Sequence, residues 1–269
     1  MTQGFLIFAQ NSTADYVKQA YLLALSGLYS GNFNFTIVTD NKINDEYEHA
    51  FDKIIYLKDD AAKDSEWKIE NRSKAYELSP YDETIVLDSD VLLLDLIDWN
   101  RFKDTDLYFT SNPTTYRGEA VNSSYYRRAF IDNNLLDLYT GMYFFKKTKR
   151  ANMFFQTLEL VVSNWKDFYS IFCKKYVPKH CSIDISAAIA CELLEISPTT
   201  DKIDIINFVH MKPHAQNWKV VSLAWQDNVN TYFNNNLKIG NYKQTGVFHY
   251  TEKNFCDKIL PRYIKLCLK

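Results

Sequence analysis

Short apolar runs and longer amphipathic stretches alternate along roughly the first ninety residues of the chain. The runs are rich in Ile, Val, Phe and Leu and are bounded by turn residues, which is typical of buried strands. They span residues 4–9, 35–39, 53–57 and 84–87. Buried strands that alternate with helices predict an α/β protein with a mostly parallel sheet covered on both faces.

Two amphipathic stretches in this region predict helices. The first runs to about Tyr29, with Thr13 or Asp15 as its N-cap and Gly31 just after its end. The second covers residues 65–78 and stops at the Ser-Pro pair that follows. In open sheets of this kind, ligands bind beyond the carboxyl ends of the strands, so we expect the chemistry there.

The pattern is less regular in the remainder of the chain. Strands are predicted at residues 106–110 and 142–145, and helices at residues 151–165 and 182–194. Within the long polar connection 112–134, residues 116–128 mix Tyr with Arg, which suits either an acceptor-side loop or a solvated surface segment. Because no Gly- or Pro-rich linker interrupts the chain, we expect a single domain over residues 1–269.

Charge and cysteine content narrow the class of protein. The chain has 31 Lys and Arg against 33 Asp and Glu, a net charge of −2, which argues against the broad positive field of a nucleic-acid binder. Its five cysteines include no C-x-x-C pair, so neither a disulfide framework nor a zinc ribbon is indicated. With no signal-peptide pattern and no apolar run near the ~20 residues of a membrane span, a cytoplasmic location is expected.

The sharpest candidate for chemistry is Asp88-Ser89-Asp90, directly after the fourth predicted strand. Two carboxylates at a strand end can both turn toward the crevice, where they suit Mg²⁺ or Mn²⁺ bound to a diphosphate. The alternative is that these aspartates cap a turn. Phosphohydrolases of the haloacid dehalogenase type also use Asp-x-Asp, but normally after the first strand, and no such pair follows residues 5–9 here.

An Asp-x-Asp pair in this position resembles the nucleotide-sugar-dependent glycosyltransferases of the GT-A fold, particularly family 8. The resemblance extends over residues 5–98 and more weakly to residue 253. It implies a Rossmann-like α/β fold with a mostly parallel central sheet flanked by helices. It also implies a nucleotide-binding half at about residues 1–98, and an acceptor-side half with a C-terminal segment at residues 99–269.

The same resemblance assigns donor contacts to the N-terminal half. The first strand and its turn would hold the nucleotide base and ribose through Phe8, Ala9, Gln10 and Asn11. Arg72, with Lys74 two residues on, would reach the donor's phosphates or sugar, and Ser89 would lie at the donor between the two aspartates. For Arg72 and Lys74 the alternative is an exposed charge on a helix.

Three more residues acquire roles on the acceptor side. Thr140 and Gly141 resemble the family's small-residue entrance to a strand, where glycine allows close backbone approach; a plain glycine before a strand is the alternative. Asp184 resembles the acidic residue that contacts the transferred sugar beside the reacting carbon. It could equally be the N-cap of its helix.

A third metal ligand is expected from a C-terminal histidine that is followed by a lysine. His249 with Lys253 is preferred because residues 247–248 place the histidine at a strand end, and His210 with Lys212 is the other candidate. The Lys-Pro-Trp that completes the family signature follows neither histidine. Because this part of the signature is missing, a non-catalytic module that binds a nucleotide-sugar or glycan is the alternative function.

The expected activity is transfer of a hexose from a nucleoside-diphosphate sugar, with a UDP-sugar favoured and Mn²⁺ or Mg²⁺ as cofactor. The resemblance implies retention of the anomeric configuration, and Asp184 would be the general base if the reaction inverts. The acceptor would be a glycan or another hydroxyl compound. The composition, rich in Asn, Lys and Tyr, also resembles phage glycosyltransferases, which makes modified DNA a further possible acceptor and a host cytoplasm the location.

Overall fold

The structure, a computed structural model, describes residues 1–58, 60, 62–63, 65, 68–121, 127–198, 206–212, 225–232 and 236–267. The strands in these ranges are β1 (Gln3–Phe8), β2 (Phe35–Thr39), β3 (Lys53–Tyr56), β4 (Glu83–Leu87), β5 (Val91–Leu93), β6 (Leu107–Thr110), β7 (Tyr139–Lys146), β8 (Phe208–His210), β9 (Val229–Tyr232), β10 (Asn236–Ile239), β11 (Tyr242–Lys243) and β12 (Val247–His249). The four N-terminal strands lie where the apolar runs predict them.

Six of these strands form the central sheet, in the order β3-β2-β1-β4-β7-β6. Strands β3, β2, β1 and β4 are parallel, and β7 is antiparallel to both β4 and β6. The prediction of an α/β fold with a mostly parallel central sheet and flanking helices is therefore confirmed. Strand β7 is longer than its predicted range, because it pairs with two neighbours along most of its length.

Two three-stranded sheets accompany the central one, in the orders β5-β12-β8 and β11-β10-β9. In the first, β12 runs antiparallel to β5 and parallel to β8. This pairing sets His249 opposite Val91 on one side and opposite His210 on the other. A strand from the end of the chain is thereby joined to the segment that follows β4.

The helices are α1 (Tyr16–Tyr29), α2 (Asp45–Glu48), α3 (Ala75–Leu78), α4 (Arg128–Asn133), α5 (Lys149–Ser163), α6 (Trp165–Phe172), α7 (Ile183–Leu193) and α8 (Lys253–Cys267). Asp15 caps α1, as predicted, by accepting a hydrogen bond from the backbone N–H of Lys18. Within the described ranges, no helix has the length and apolar composition needed to cross a bilayer.

The helix predicted over residues 65–78 is wrong in extent. A 3₁₀ helix covers Glu70–Lys74 and α3 follows it, while Lys68 adopts a left-handed backbone with φ +52°. Its ammonium group donates to the carbonyl oxygens of Ala62 (2.8 Å) and Lys63, which stabilises an irregular loop where the pattern predicts a helix. Residues 66–67 of the predicted range lie outside the described ones.

Apolar side chains of the central sheet alternate between two cores. Phe5 and Ile7 of β1 pack into the core that also contains α1, β5 and α8, whereas Leu6 and Phe8 pack with α5 and α7 on the other face. This period of two follows from the alternation of side chains along a strand. Both faces are thus covered by protein, and an open edge for ligands remains at the strand ends.

Candidate active site

A cleft of about 480 Å³ opens where the carboxyl ends of β1 and β4 meet the beginning of β7. Because β7 runs antiparallel to β4, its first residues lie beside the segment that leaves β4, and the Asp88 N–H donates to the Gly141 carbonyl at 2.9 Å. The cleft is lined by Phe8, Gln10, Tyr16, Lys68, Ile69, Arg72, Asp88, Ser89, Asp90, Tyr139, His210, Lys212, His249, Thr251, Glu252 and Lys253.

Asp88 and Asp90 both line this cleft and have different partners. The Asp88 carboxylate forms an ion pair with Arg72. Asp90 Oδ1 lies 3.0 Å from His249 Nε2, and its Oδ2 accepts a hydrogen bond of 2.7 Å from Lys253 Nζ. The two carboxylates are therefore held at the cleft by cationic side chains from separate parts of the chain.

The turn before β12 brings His249 to Asp90. Gly246 has φ +70°, and a Cβ atom there would lie 2.1 Å from the Asn207 carbonyl oxygen, so the turn requires glycine. Its N–H donates to Asp95 Oδ2 at 2.6 Å, which ties the start of β12 to the segment after β5. Strand pairing then carries His249 to the end of the β5-β12-β8 sheet, and Lys253 begins α8 just beyond it.

The electrostatics of the cleft favour charged side chains. Burial alone would raise the pKa of Asp90, but the positive charges and hydrogen bonds of His249 and Lys253 lower it well below its usual range. Burial acts to lower the pKa of Lys253, and Asp90 raises it above its usual value. The pKa of Arg72 is raised in the same way by Asp88, against its burial. Asp90 is thus an anion near neutral pH, with cations on either side of the aspartate pair.

His210 lies one strand further from Asp90 than His249 does. Its ring centroid is 4.8 Å from that of His249, and burial, together with the charges of His249 and Lys212, lowers its pKa well below the usual value. His210 is therefore a neutral wall of the cleft. Of the two candidate histidines, His249 contacts Asp90 directly.

The donor set at Asp88, Asp90 and His249 fits a divalent cation. One ligand atom from each of the three side chains lies within 4.8 Å of the other two. Two ligands on one ion, each at about 2.1 Å, lie at most about 4.2 Å apart, so side-chain shifts of under about 1 Å would close the set. Two carboxylate oxygens and one imidazole nitrogen suit Mn²⁺, and Mg²⁺ accepts the same oxygens.

A second cavity of about 200 Å³ adjoins the cleft and shares Ile69, Arg72, Asp88 and Tyr139 with it. Asp184 and Thr140 line its far side, and Asp184 Oδ1 accepts hydrogen bonds from the Thr140 N–H (2.8 Å) and hydroxyl. Arg127 lies 3.5 Å from the other Asp184 oxygen. The N-cap of α7 is Ser182, so the interpretation of Asp184 as a helix cap is wrong.

The remaining predicted residues divide between the cleft and its support. Phe8, Gln10 and Ser89 line the cleft. Ala9, Asn11, Lys74 and Gly141 line neither of the two cavities described above. Asn11 instead fixes the turn after β1: its side-chain oxygen accepts from the Val17 N–H at 3.0 Å, and its own N–H donates to Asn41 Oδ1 at 2.8 Å.

Sequence reasoning missed six residues that line the cleft: Tyr16, Lys68, Ile69, Tyr139, Thr251 and Glu252. Tyr16 begins α1 one turn after β1, and the Lys253 ammonium lies 4.8 Å from the centre of its ring. Tyr139 directly precedes the Thr140-Gly141 pair, and its hydroxyl lies 2.8 Å from His249 Nδ1. The available signal for Tyr139, Thr251 and Glu252 was their position next to predicted site residues in the sequence. Tyr16 and the loop conformation of Lys68 have no clear sequence mark.

Comparisons with known proteins give likenesses among solved structures. Scans against protein families and against curated proteins find no match. Among solved structures, the chain is similar to the galactosyltransferase LgtC, crystallised in complex with donor and acceptor sugar analogues, with 14% identity and a TM-score of 0.44 over 71% of this chain and 70% of that one. A function for this chain must therefore be inferred from the residues of the cleft.

Proposed function

We propose that this chain is a metal-dependent glycosyltransferase that moves a hexose from a nucleoside-diphosphate sugar to a hydroxyl acceptor. The observation that carries the proposal is the cluster of Asp88, Asp90 and His249 in an open cleft at the carboxyl end of a mostly parallel sheet. Arg72 and Lys253 flank this cluster with positive charge. The carboxylates can bind a metal ion, and the basic side chains on either side of them can bind phosphate oxygens. Together they suit a metal ion bound to a diphosphate.

Asp88, Asp90 and His249 would hold Mn²⁺ or Mg²⁺, which would offset the negative charge that grows on the departing diphosphate. The chain's own cations add to this effect. Arg72 and Lys253 each carry donors within the cleft and can bind diphosphate oxygens by charge-assisted hydrogen bonds. Lys253 is 40% exposed, so its ammonium can leave Asp90 for a phosphate oxygen without a buried rearrangement.

The transferred sugar would occupy the second cavity. Asp184 Oδ1 accepts from the Thr140 N–H and hydroxyl, and Arg127 lies beside Oδ2, so both oxygens of this carboxylate already have hydrogen-bond or ion-pair partners. We therefore assign Asp184 to binding sugar hydroxyls rather than to removing a proton, which agrees with a retaining reaction. The shared wall of Arg72 and Asp88 would place the sugar's anomeric carbon beside the diphosphate.

The nucleotide would lie on the β1 side of the cleft. Phe8 and Gln10 offer an apolar face and an amide there, and Tyr16 adds an aromatic ring; Ala9 and Asn11 support the turn that holds them. A UDP-sugar is the favoured donor. The cleft takes residues from both the 1–98 and the 99–269 parts of the chain, which supports one domain over the whole length.

One observation favours a second candidate, a module that binds a nucleotide-sugar without turnover. Both oxygens of Asp90 already have partners in His249 and Lys253, and an ion-pair network of this kind is stable without a metal. The arginines of the polar connection 112–134 give only weak support to the proposal that DNA is the acceptor. Arg127 pairs with Asp137 and Asp184, and Arg128 pairs with Asp132, which reduces their free positive charge.

The test is release of free sugar from a panel of UDP-, GDP- and other nucleotide-sugars with Mn²⁺ and with EDTA. We expect slow hydrolysis of one donor with Mn²⁺ only. Asp88→Asn should lower it by at least about 100-fold, since the metal ligand is lost, whereas the exposed control Asp104→Asn should leave it unchanged. Mn²⁺-dependent donor binding without any hydrolysis would identify the binding module, and turnover unaffected by Asp88→Asn would exclude the metal site.

A further inference from the structure

A hydrogen bond behind His249 links the candidate metal ligand to Tyr139. The Tyr139 hydroxyl lies 2.8 Å from His249 Nδ1, and the two rings are inclined by 25°. The other ring nitrogen, Nε2, faces Asp90 Oδ1 at 3.0 Å. The imidazole is therefore held between a tyrosine on β7 and an aspartate after β4, with one nitrogen committed to each.

The direction of this hydrogen bond decides which nitrogen can bind an ion. Only a ring nitrogen without a proton can ligate a metal. If Tyr139 Oη accepts from Nδ1–H, the proton is on Nδ1 and the lone pair of Nε2 points toward Asp90 and the ion. A hydroxyl can also donate, so the same contact persists with the opposite tautomer when no ion is bound.

We propose that Tyr139 is a positioning residue that fixes the ring orientation and tautomer of His249 for metal binding. The inference rests on the metal-dependent function proposed above and adds a residue to its site. Ligating histidines generally have a partner on the second nitrogen, and its loss typically weakens metal binding by about 10- to 100-fold. Tyr139 is 9% exposed and lies beside both His210 and His249, and its hydroxyl is placed to be the partner of Nδ1.

Gly141 is the residue that allows Tyr139 to take this position. The two residues are separated by one position on β7 and share a face of the strand. A Cβ atom on Gly141 would lie 2.4 Å from Tyr139 Cε1 and 2.8 Å from its hydroxyl oxygen. Gly141 has no positive φ, so the glycine is required by the space that the Tyr139 ring occupies rather than by backbone conformation.

The experiment measures Mn²⁺ affinity by electron paramagnetic resonance, without any donor. Tyr139→Phe should bind Mn²⁺ about 10-fold more weakly than the wild type, and Gly141→Ala should weaken binding in the same direction while keeping the hydroxyl. The matched control is Tyr81→Phe, which removes a buried hydroxyl bonded to Thr36 at 2.8 Å on another part of the sheet. It should leave Mn²⁺ affinity unchanged. His249→Ala serves as the reference for loss of the ligand itself.

A spectroscopic readout separates positioning from a general loss of structure. At a Mg²⁺ concentration that saturates the wild type but only partly loads the weaker variant, ¹⁵N NMR should show the proton of His249 on Nδ1 in the wild type and on a mixture of both nitrogens in Tyr139→Phe. If His249→Ala weakens Mn²⁺ binding but Tyr139→Phe and Gly141→Ala do not, the inference is overturned and the metal site stands. If His249→Ala also leaves affinity unchanged, the metal site itself is wrong and the role of Tyr139 is wrong with it.

Discussion

The two aspartates of the cleft are neighbours in sequence, but their surroundings differ. Asp88 pairs with Arg72, which comes from the segment immediately before β4. Asp90 pairs with His249 and with Lys253, which lies 163 residues further along the chain. One side of the cleft is therefore built locally, and the other is closed by the C-terminal part of the chain.

This difference separates two tasks. Asp90 joins the segment after β4 to β12 and α8, so its ion pairs contribute to the fold as well as to the site. Asp88 pairs through Oδ1 with Arg72, whereas each of the two oxygens of Asp90 has a cationic or imidazole partner. We infer that Asp90 is the structural anchor and Asp88 the more available ligand.

The largest effect that tests this comparison is on the free energy of unfolding. Asp90→Asn should destabilise the protein by about 2 kcal/mol, because it removes the buried counter-charge of Lys253 and a hydrogen-bond partner of His249. Asp88→Asn should cost under about 1 kcal/mol, because Arg72 keeps the attraction of Asp90. Urea unfolding at pH 7 in EDTA measures both values.

Urea unfolding of the exposed variant Asp104→Asn under the same conditions provides the baseline for a surface aspartate, since that side chain is 87% exposed. Equal destabilisation by Asp88→Asn and Asp90→Asn would show that both carboxylates have the same structural weight and would contradict the distinction.

A smaller effect is expected on the acid side of the stability profile. The pKa of Asp90 is lowered in the folded protein, so between the folded and unfolded pKa values the unfolded chain binds more protons. The contribution of Asp90 is complete above the usual aspartate pKa of about 3.9 and is lost as pH falls through the folded value. In EDTA, the stability gap between wild type and Asp90→Asn should narrow by about 1 kcal/mol from pH 5 to pH 3. A gap that is constant over this range would contradict the assignment.

The smallest effect concerns the second lysine–aspartate pair that ties α8 to the rest of the chain. Lys18 and Asp257 lie 2.5 Å apart, but their side chains are 32% and 65% exposed. Because exposed pairs contribute little, Asp257→Asn should change the free energy of unfolding by less than about 0.5 kcal/mol. Urea unfolding of Asp257→Asn and Asp90→Asn under the same conditions compares the exposed ion pair with the buried one.

The parts of the structure that the sequence predicts are those encoded by neighbouring residues. Strands β1 to β4, the Asp15 cap and the position of Asp88-Ser89-Asp90 at a strand end all follow from local patterns. The closing of the site by His249 depends on pairing between β5 and β12, and no local pattern specifies that register. The sequence could therefore rank His249 above His210 as the candidate ligand, but it could not decide between them.

Two departures have the same physical origin. The helix predicted at residues 65–78 is shortened because the Lys68 ammonium binds backbone carbonyls of its own loop, a contact that periodicity does not encode. Tyr139 was missed because the predicted strand begins after it, whereas pairing with β6 extends β7 back to Tyr139 at the cleft. In both places tertiary contacts determine the local structure.

The place of β12 between β5 and β8 has a consequence for the order of assembly. A chain still emerging from the ribosome contains Asp88 and Asp90 long before it contains His249. In the proposed metal site, the full set of donors therefore forms only after β12 has been synthesised and inserted between β5 and β8. A nascent chain that stops before β12 would offer an ion only the two carboxylates of the proposed site.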